Sequence, residues 1–154
     1  MSERLPVVDP DNDVIRVADR YYVLATSSPL DDRLFVLKDG DTFAIFDRRG
    51  DIRPLGPSTQ GVYTHDMRYL SRCGLLVAGA RPLVLSSSVG AAGALLTVDL
   101  TNPDLPGIAN GALHIRRTIL LRHRRLRQRV TLTSYAPTDL DVEVVFDIDA
   151  DYAD

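Results

Sequence analysis

The strongest constraint on the fold is the spacing of the turn signals. Clusters of Gly, Pro, Asp, Asn and Ser interrupt the chain roughly every eight to twelve residues, and the runs between them are short and rich in β-branched and aromatic residues, the pattern of an all-β sandwich or barrel. YYVLAT (21–26) reads as a strand stopped by Ser-Ser-Pro, and RLFVLKDGDTFAIFD (33–47) as a hairpin. Asp39-Gly40 is placed at the hairpin's tight turn, where positive φ is required. DRRGD (47–51) turns the chain again, and Pro54, Gly56 and Pro57 mark a loop. MRYLSRCGLLVAGARPLVLSSSV (67–89) reads as a second hairpin turning near Ala78 to Arg81, with a break at Gly90 to Gly93. ALLTVDL (94–100) follows, then a loop rich in Pro and Gly, TNPDLPGIANG (101–111). LHIRRTILLR (113–122), RLRQRVTLTSY (125–135) and LDVEVVFDID (140–149) complete the strands. The expectation is an antiparallel β-sandwich of about 9–11 strands over residues 21–154, behind a flexible segment 1–20.

The last strands fix which faces are wet. Leu140, Val142, Val144, Phe146 and Ile148 alternate with Asp141, Glu143, Asp147 and Asp149, Val145 standing among the acids. In the strand before it, Leu126, Val130 and Leu132 alternate with Arg125, Arg127 and Arg129. A period of two puts each set on its own face of a half-solvated sheet. If the chain turns back at Ala136-Pro137, these strands pair. One register sets Arg129 against Glu143 and Arg125 against Asp147. A shift of two sets Arg127 against Asp147 and Arg125 against Asp149. Each opposite-charge pair is worth roughly 0.2–1 kcal/mol. This matters because Arg116, Arg117, Arg122, Arg124, Arg125, Arg127 and Arg129, with His123, otherwise resemble a phosphate-binding stripe. Neutralisation across the strands, and the lack of aromatic stacking partners in the stripe, point away from nucleic acid.

Other chemistries find little support. The net charge of -3 gives no global field to attract nucleic acid or an anionic membrane, and the apolar runs are far too short to span a bilayer. MSERLPVVDPDNDV lacks the apolar core of a secretory signal. Cys73, the single cysteine, can form neither an internal disulfide nor a thiolate metal site by itself. A cytoplasmic location is expected. DGD (39–41) and DIDAD (147–151) lack the loop spacing that converges six to eight oxygens on calcium, and GAAGA (90–94) is followed by neither a helix nor Lys-Ser/Thr. Neither metal nor cofactor is expected.

GVYTHDMRYLS (61–71) is the most reactive-looking stretch, with His65 and Asp66 beside Arg68, between Tyr63 and Tyr69. Acid–base chemistry would need the His and Asp to converge on one pocket with a third group. Neighbours on a strand point to opposite faces, whereas Asp66 and Arg68 share one. The favoured reading is a structural ion pair or turn clamp, with Tyr63, His65, Asp66 and Arg68 as the candidate site residues and no catalytic residue.

Five blocks in order carry a resemblance: FVLKDGDTFAIFDRRGDI (35–52), GVYTHDMRYLSRCGLLVAGARPLVLSS (61–87), LLTVDLTNPDL (95–105), IRRTILLR (115–122) and LTSYAPTDLDVEVVFDIDADYAD (132–154). The chain resembles the N-terminal domain of bacterial glycogen debranching enzymes of the amylo-α-1,6-glucosidase type. Met67, Cys73 and Gly74 depart from that pattern and leave Asp66-x-Arg68 intact. The resemblance implies a β-sandwich preceding a helical (α/α)₆ catalytic barrel, which would be this domain's partner in the same chain, with α-glucan as the substrate of the whole protein. It implies that Tyr63, Asp66 and Arg68 hold a domain edge or an interdomain surface. The residues agree with a non-catalytic piece. Glycoside hydrolysis generally uses two carboxyl groups about 5–9.5 Å apart, yet Glu3 and Glu143 are the only glutamates and no aspartate pair sits in a cleft motif. Two rival readings stand beside this one. A free-standing carbohydrate-binding module is weakened by the absence of Trp. A homo-oligomerisation domain would pair an exposed strand edge with itself.

Overall fold

The computed structural model describes residues 7–8, 14–17, 20–23, 34–53 and 60–153. It divides the chain into two compact units, 1–33 and 34–154. In the first, β1 (Val7–Val8), β2 (Val14–Val17) and β3 (Arg20–Val23) form an antiparallel sheet in sequential order. The rest of the segment read as flexible, residues 24–26 of YYVLAT, and the Pro54–Gly56–Pro57 loop lie outside the described residues.

The second unit is an antiparallel β-sandwich. Its strands are β4 (Phe35–Asp39), β5 (Thr42–Phe46), β6 (Gly61–Thr64), β7 (Met67–Leu70), β8 (Arg72–Val77), β9 (Leu83–Gly90), β10 (Leu95–Thr101), β11 (Leu113–Arg122), β12 (Arg125–Ser134) and β13 (Val144–Asp149). The described residues contain no α-helix, only a 3₁₀ turn at Ala91–Gly93. One sheet runs β12-β11-β10-β9; opposite it lie β4-β5-β6-β7 and the pair β13-β8.

Burial follows the period of two. On β11, Leu113, Ile115, Arg117, Ile119 and Leu121 are buried while the residues between them are not. They join Leu96, Val98 and Leu100 of β10 in one cluster with Leu37, Ala44, Phe46, Ile52, Cys73, Leu75 and Val77 from the opposite side. Aliphatic side chains like these stabilise the fold by about 1.5–3 kcal/mol each when fully buried.

Three local expectations change. The first hairpin turns on Gly40-Asp41, because Asp39 pairs with Thr42. Gly40 takes φ 61° at the first central position, where a type II′ turn wants glycine. Residues 67–89 are not a hairpin. Val77 and Ala80 close a tight turn over Ala78 and Gly79, after which the chain leaves for the other sheet: β9 pairs with β10, and β8 pairs with β13. For the same reason β13 does not fold back on β12. Val144 pairs with Val77, Phe146 with Leu75 and Ile148 with Cys73. That register sets three apolar residues of β13 opposite three buried apolar residues of β8. The pairing extends past the strand through Ala78 N–H to Glu143 O (2.8 Å), Ser71 N–H to Asp149 O (3.0 Å) and Arg68 N–H to Ala153 O (2.7 Å). The expected Arg–acid ladder between the last two strands is therefore absent.

Candidate functional site

Directly opposite residues of neighbouring antiparallel strands share a face. Lys38 lies opposite Phe43, Phe43 opposite Tyr63, and Tyr63 opposite Arg68. These four form a row across β4–β7 on the face away from the core, since Leu37, Thr42 and Ala44 point inward and are buried. Phe43 and Tyr63 stack with ring centroids 4.9 Å apart and planes 11° from parallel. Beside them Val36, half exposed, lies opposite Ile45, and Ile45 opposite Gly61.

The bare backbone of Gly61 lets Arg68 lie along the sheet. A Cβ there would sit 2.5 Å from Arg68 Cδ and 2.9 Å from Leu70 O. Arg68 reaches across to Asp151: its Nε donates to Oδ1 at 3.0 Å and its Nη2 pairs with Oδ2. This bidentate clamp ties β7 to the segment after β13. It holds the Asp151 carboxyl below the usual aspartate range and raises the Arg68 guanidinium. Next to it, Tyr69 meets Tyr152 edge to face at 6.1 Å. The partner of Arg68 is thus Asp151 and not Asp66; no ion pair joins Asp66 to Arg68 among the described residues.

His65 and Asp66 are turn residues, not strand neighbours. They link β6 to β7 with φ of 50° and 64°, the left-handed conformation that a type I′ hairpin imposes. At the same end of the sandwich, His123 and Arg124 make the equivalent turn between β11 and β12, with φ of 51° and 57°. The hairpin tips touch. His123 N–H donates to Asp39 Oδ2 (2.6 Å), Arg124 pairs with Asp41 (3.2 Å), and His65 Nε2 is 3.1 Å from Asp41 Oδ2 and 3.3 Å from Arg124 Nη2. A proton on Nε2 donates to Asp41; without it the same atom accepts from Arg124. Hydrogen bonding from its own backbone, then Arg124 and His65, lowers the Asp41 carboxyl. The tips fasten the two sheets together at an exposed end.

Sequence reasoning missed the buried network built on DRRGD. Arg117 is fully buried, although its residue type grouped it with the surface arginines. Its Nη1 donates to Asp51 Oδ1 (2.5 Å) and Arg49 O (3.2 Å), and its Nε to Gln128 Oε1 (3.0 Å). Arg81 pairs with both Asp47 and Asp51, and Arg53 with Asp47. Asp47 Oδ1 accepts from the N–H groups of Arg49 and Asp51. Burial, with Asp51 adjacent, pushes the Asp47 carboxyl up. The signal was in IRRTILLR, where Arg117 falls in phase with Ile115, Ile119 and Leu121.

These carboxylates cannot act as a glycosidase pair. Asp47 and Asp51 are 6% and 1% exposed and spend their oxygens on arginines and backbone, so no sugar can come between them. The arrangement offers a braced sheet face and a fastened loop end, both suited to contact. No curated protein and no solved structure matches the chain. A family model does, over residues 37–154, from the strand that opens the braced face to the segment carrying the Asp151 clamp. The chain accordingly belongs to the family described as the N-terminal domain of (some) glycogen debranching enzymes.

Proposed function

We propose that this chain is a non-catalytic domain of a glycogen debranching enzyme, and that the outer face of β4–β7 packs against and supports the catalytic barrel in α-glucan breakdown. The row Lys38–Phe43–Tyr63–Arg68 carries this reading. Tyr and Arg are enriched where proteins meet. Here both are held rigid, one by a stacked ring and the other by a bidentate carboxylate. Val36, Tyr69 and Tyr152, 53%, 46% and 61% exposed, extend the same apolar and aromatic surface. The rival carbohydrate-module reading fares less well, because Phe43 and Tyr63 each spend one ring face on the other. Cytoplasmic location belongs to this reading as an expectation.

The test uses a debranching enzyme in which this domain accompanies its barrel. Val36→Asp and Tyr63→Ala should lower the temperature at which α-1,6-glucosidase activity is lost, while fresh enzyme still releases glucose from a branched dextrin. Glucose release by residues 1–154 alone, or maltooligosaccharide binding centred on Tyr63, would overturn the assignment.

A further inference from the structure

Among the described residues, two strand edges on one side of the sandwich have no strand partner. Gln128 of β12 donates through Nε2 to Cys73 Sγ of β8 at 3.2 Å, and Arg117 lies 5.8 Å from the Phe146 ring of β13. So β12, the last strand of its sheet, and β13, the outer partner of β8, border the same opening. Leu126 and Val130 of β12 pack against the core, but four other residues of these edges that face inward by register are more than a third exposed. Leu132, opposite buried Ile115, is 37% exposed; Val144, Phe146 and Ile148, opposite Val77, Leu75 and Cys73, are 38%, 39% and 62% exposed. On β10 and β11 the inward positions Leu96, Val98, Leu100, Ile115, Ile119 and Leu121 are buried.

The outer sides of the two edges carry opposite charge. With β13 on the other sheet, Arg122, Arg125, Arg127 and Arg129 are exposed and in no ion pair among the described residues. Arg125, Arg127 and Arg129 line the outward side of β12. Asp147 and Asp149 line that of β13, with Glu143 just before it, and only Arg72 approaches them, at 3.7 Å from Asp147. The strand pair that the sequence describes and the monomer does not make is thus left available between molecules.

We propose that β12 and β13 form a self-complementary interface with a second copy of this chain, β12 of each protomer lying beside β13 of its partner. A two-fold axis parallel to the strands brings this about and joins the four-stranded sheet of one protomer to the β8–β13 side of the other. Inner faces stay inner, so Leu132, Val144, Phe146 and Ile148 close one continuous core. Arginine and aspartate meet on the outer faces, and both free main-chain edges gain partners, which removes the hazard of an exposed strand edge. The other symmetric choice, β12 beside β12, sets arginines against arginines and is disfavoured. The interface is isologous and therefore closes at two.

Sedimentation of residues 1–154 at high micromolar concentration tests this. A dimer that weakens with added salt is expected. The variants Arg125→Glu/Arg127→Glu/Arg129→Glu and Glu143→Lys/Asp147→Lys/Asp149→Lys should each lose roughly tenfold or more in self-association, and mixing the two should restore a heterodimer. Hydrogen exchange of the wild-type chain, diluted from the dimer, should deprotect β12 and β13 amides together and leave β9 unchanged. A strict monomer, a dimer indifferent to both charge reversals, or concentration-dependent protection at β12 without β13 would overturn the proposal. So would closure of the opening by any other polypeptide segment, of this enzyme or of another protein.

Discussion

Arg117 and Asp51 meet at 2.5 Å in the core, their side chains 0% and 2% exposed. A charge so placed persists only because others satisfy it, and here Arg81, Arg49 O and Gln128 complete the set. Removing one member strands the rest. Arg117→Ala should cost about 3–5 kcal/mol in chemical denaturation, as breaking a buried pair does. Arg117→Met combined with Asp51→Leu should cost less than the sum of the single changes. Additive losses would mean that the two side chains do not act as a pair.

The Arg68–Asp151 clamp predicts a pH dependence. Because the folded pKa of Asp151 is depressed, chiefly by its hydrogen bond from Arg68, the clamp's contribution is complete above the ordinary aspartate pKa, about 3.9. It is lost as the pH falls through the lower folded value. The Asp151 carboxyl carbon resonance should titrate below the ordinary range, and the Tyr69 and Tyr152 ring resonances should move with it. In Arg68→Gln the midpoint should return to the ordinary range. An unshifted midpoint in the wild-type chain would contradict the clamp.

Gly61 carries a second prediction about the same side chain. An added Cβ meets the carbonyl oxygen of Leu70 at 2.9 Å as well as the Arg68 stem. The arginine stem can swing away, but the backbone oxygen in a paired strand cannot. Gly61→Ala should therefore cost about 1–3 kcal/mol, the usual range for overpacking. It should also shift the Asp151 titration upward, because the stem displaced by the new methyl is the one that reaches Asp151. Loss of stability with no change in that titration would assign the cost to the backbone alone.

What the sequence made legible follows from the range over which each signal acts. Alternation is local, so the inward and outward faces of β11, β12 and β13 could be read residue by residue, and the strands that alternation marks lie within a few residues of their expected places. Pairing is not local. Arg125–Asp149 and Arg72–Asp149 are equally good matches on charge, and charge alone does not select the register that sets β13 opposite Cys73, Leu75 and Val77. The partner of Arg68, eighty-three positions away, is out of reach for the same reason. Arg117 is a different failure. Alternation along β11 sets it in phase with buried Ile115, Ile119 and Leu121, a local signal that its residue type masks.

The last prediction concerns the turn that first looked catalytic. His65 and Asp66 both sit at positive φ, where a residue with a Cβ pays roughly 1–2 kcal/mol and glycine does not. Asp66 makes no ion pair among the described residues, while His65 contacts Asp41 and Arg124. Asp66→Gly should therefore relieve strain and keep the contact between hairpin tips. Glycine's greater freedom in the unfolded chain takes back about 0.4–1 kcal/mol, so the expected gain is small, about 0.5–1 kcal/mol. It would appear as a rise of a few degrees in Tm for a domain of this size. A fall in Tm would show that the Asp66 carboxylate holds something in the folded domain, and the turn would then have to be treated as a built site and not as a connection.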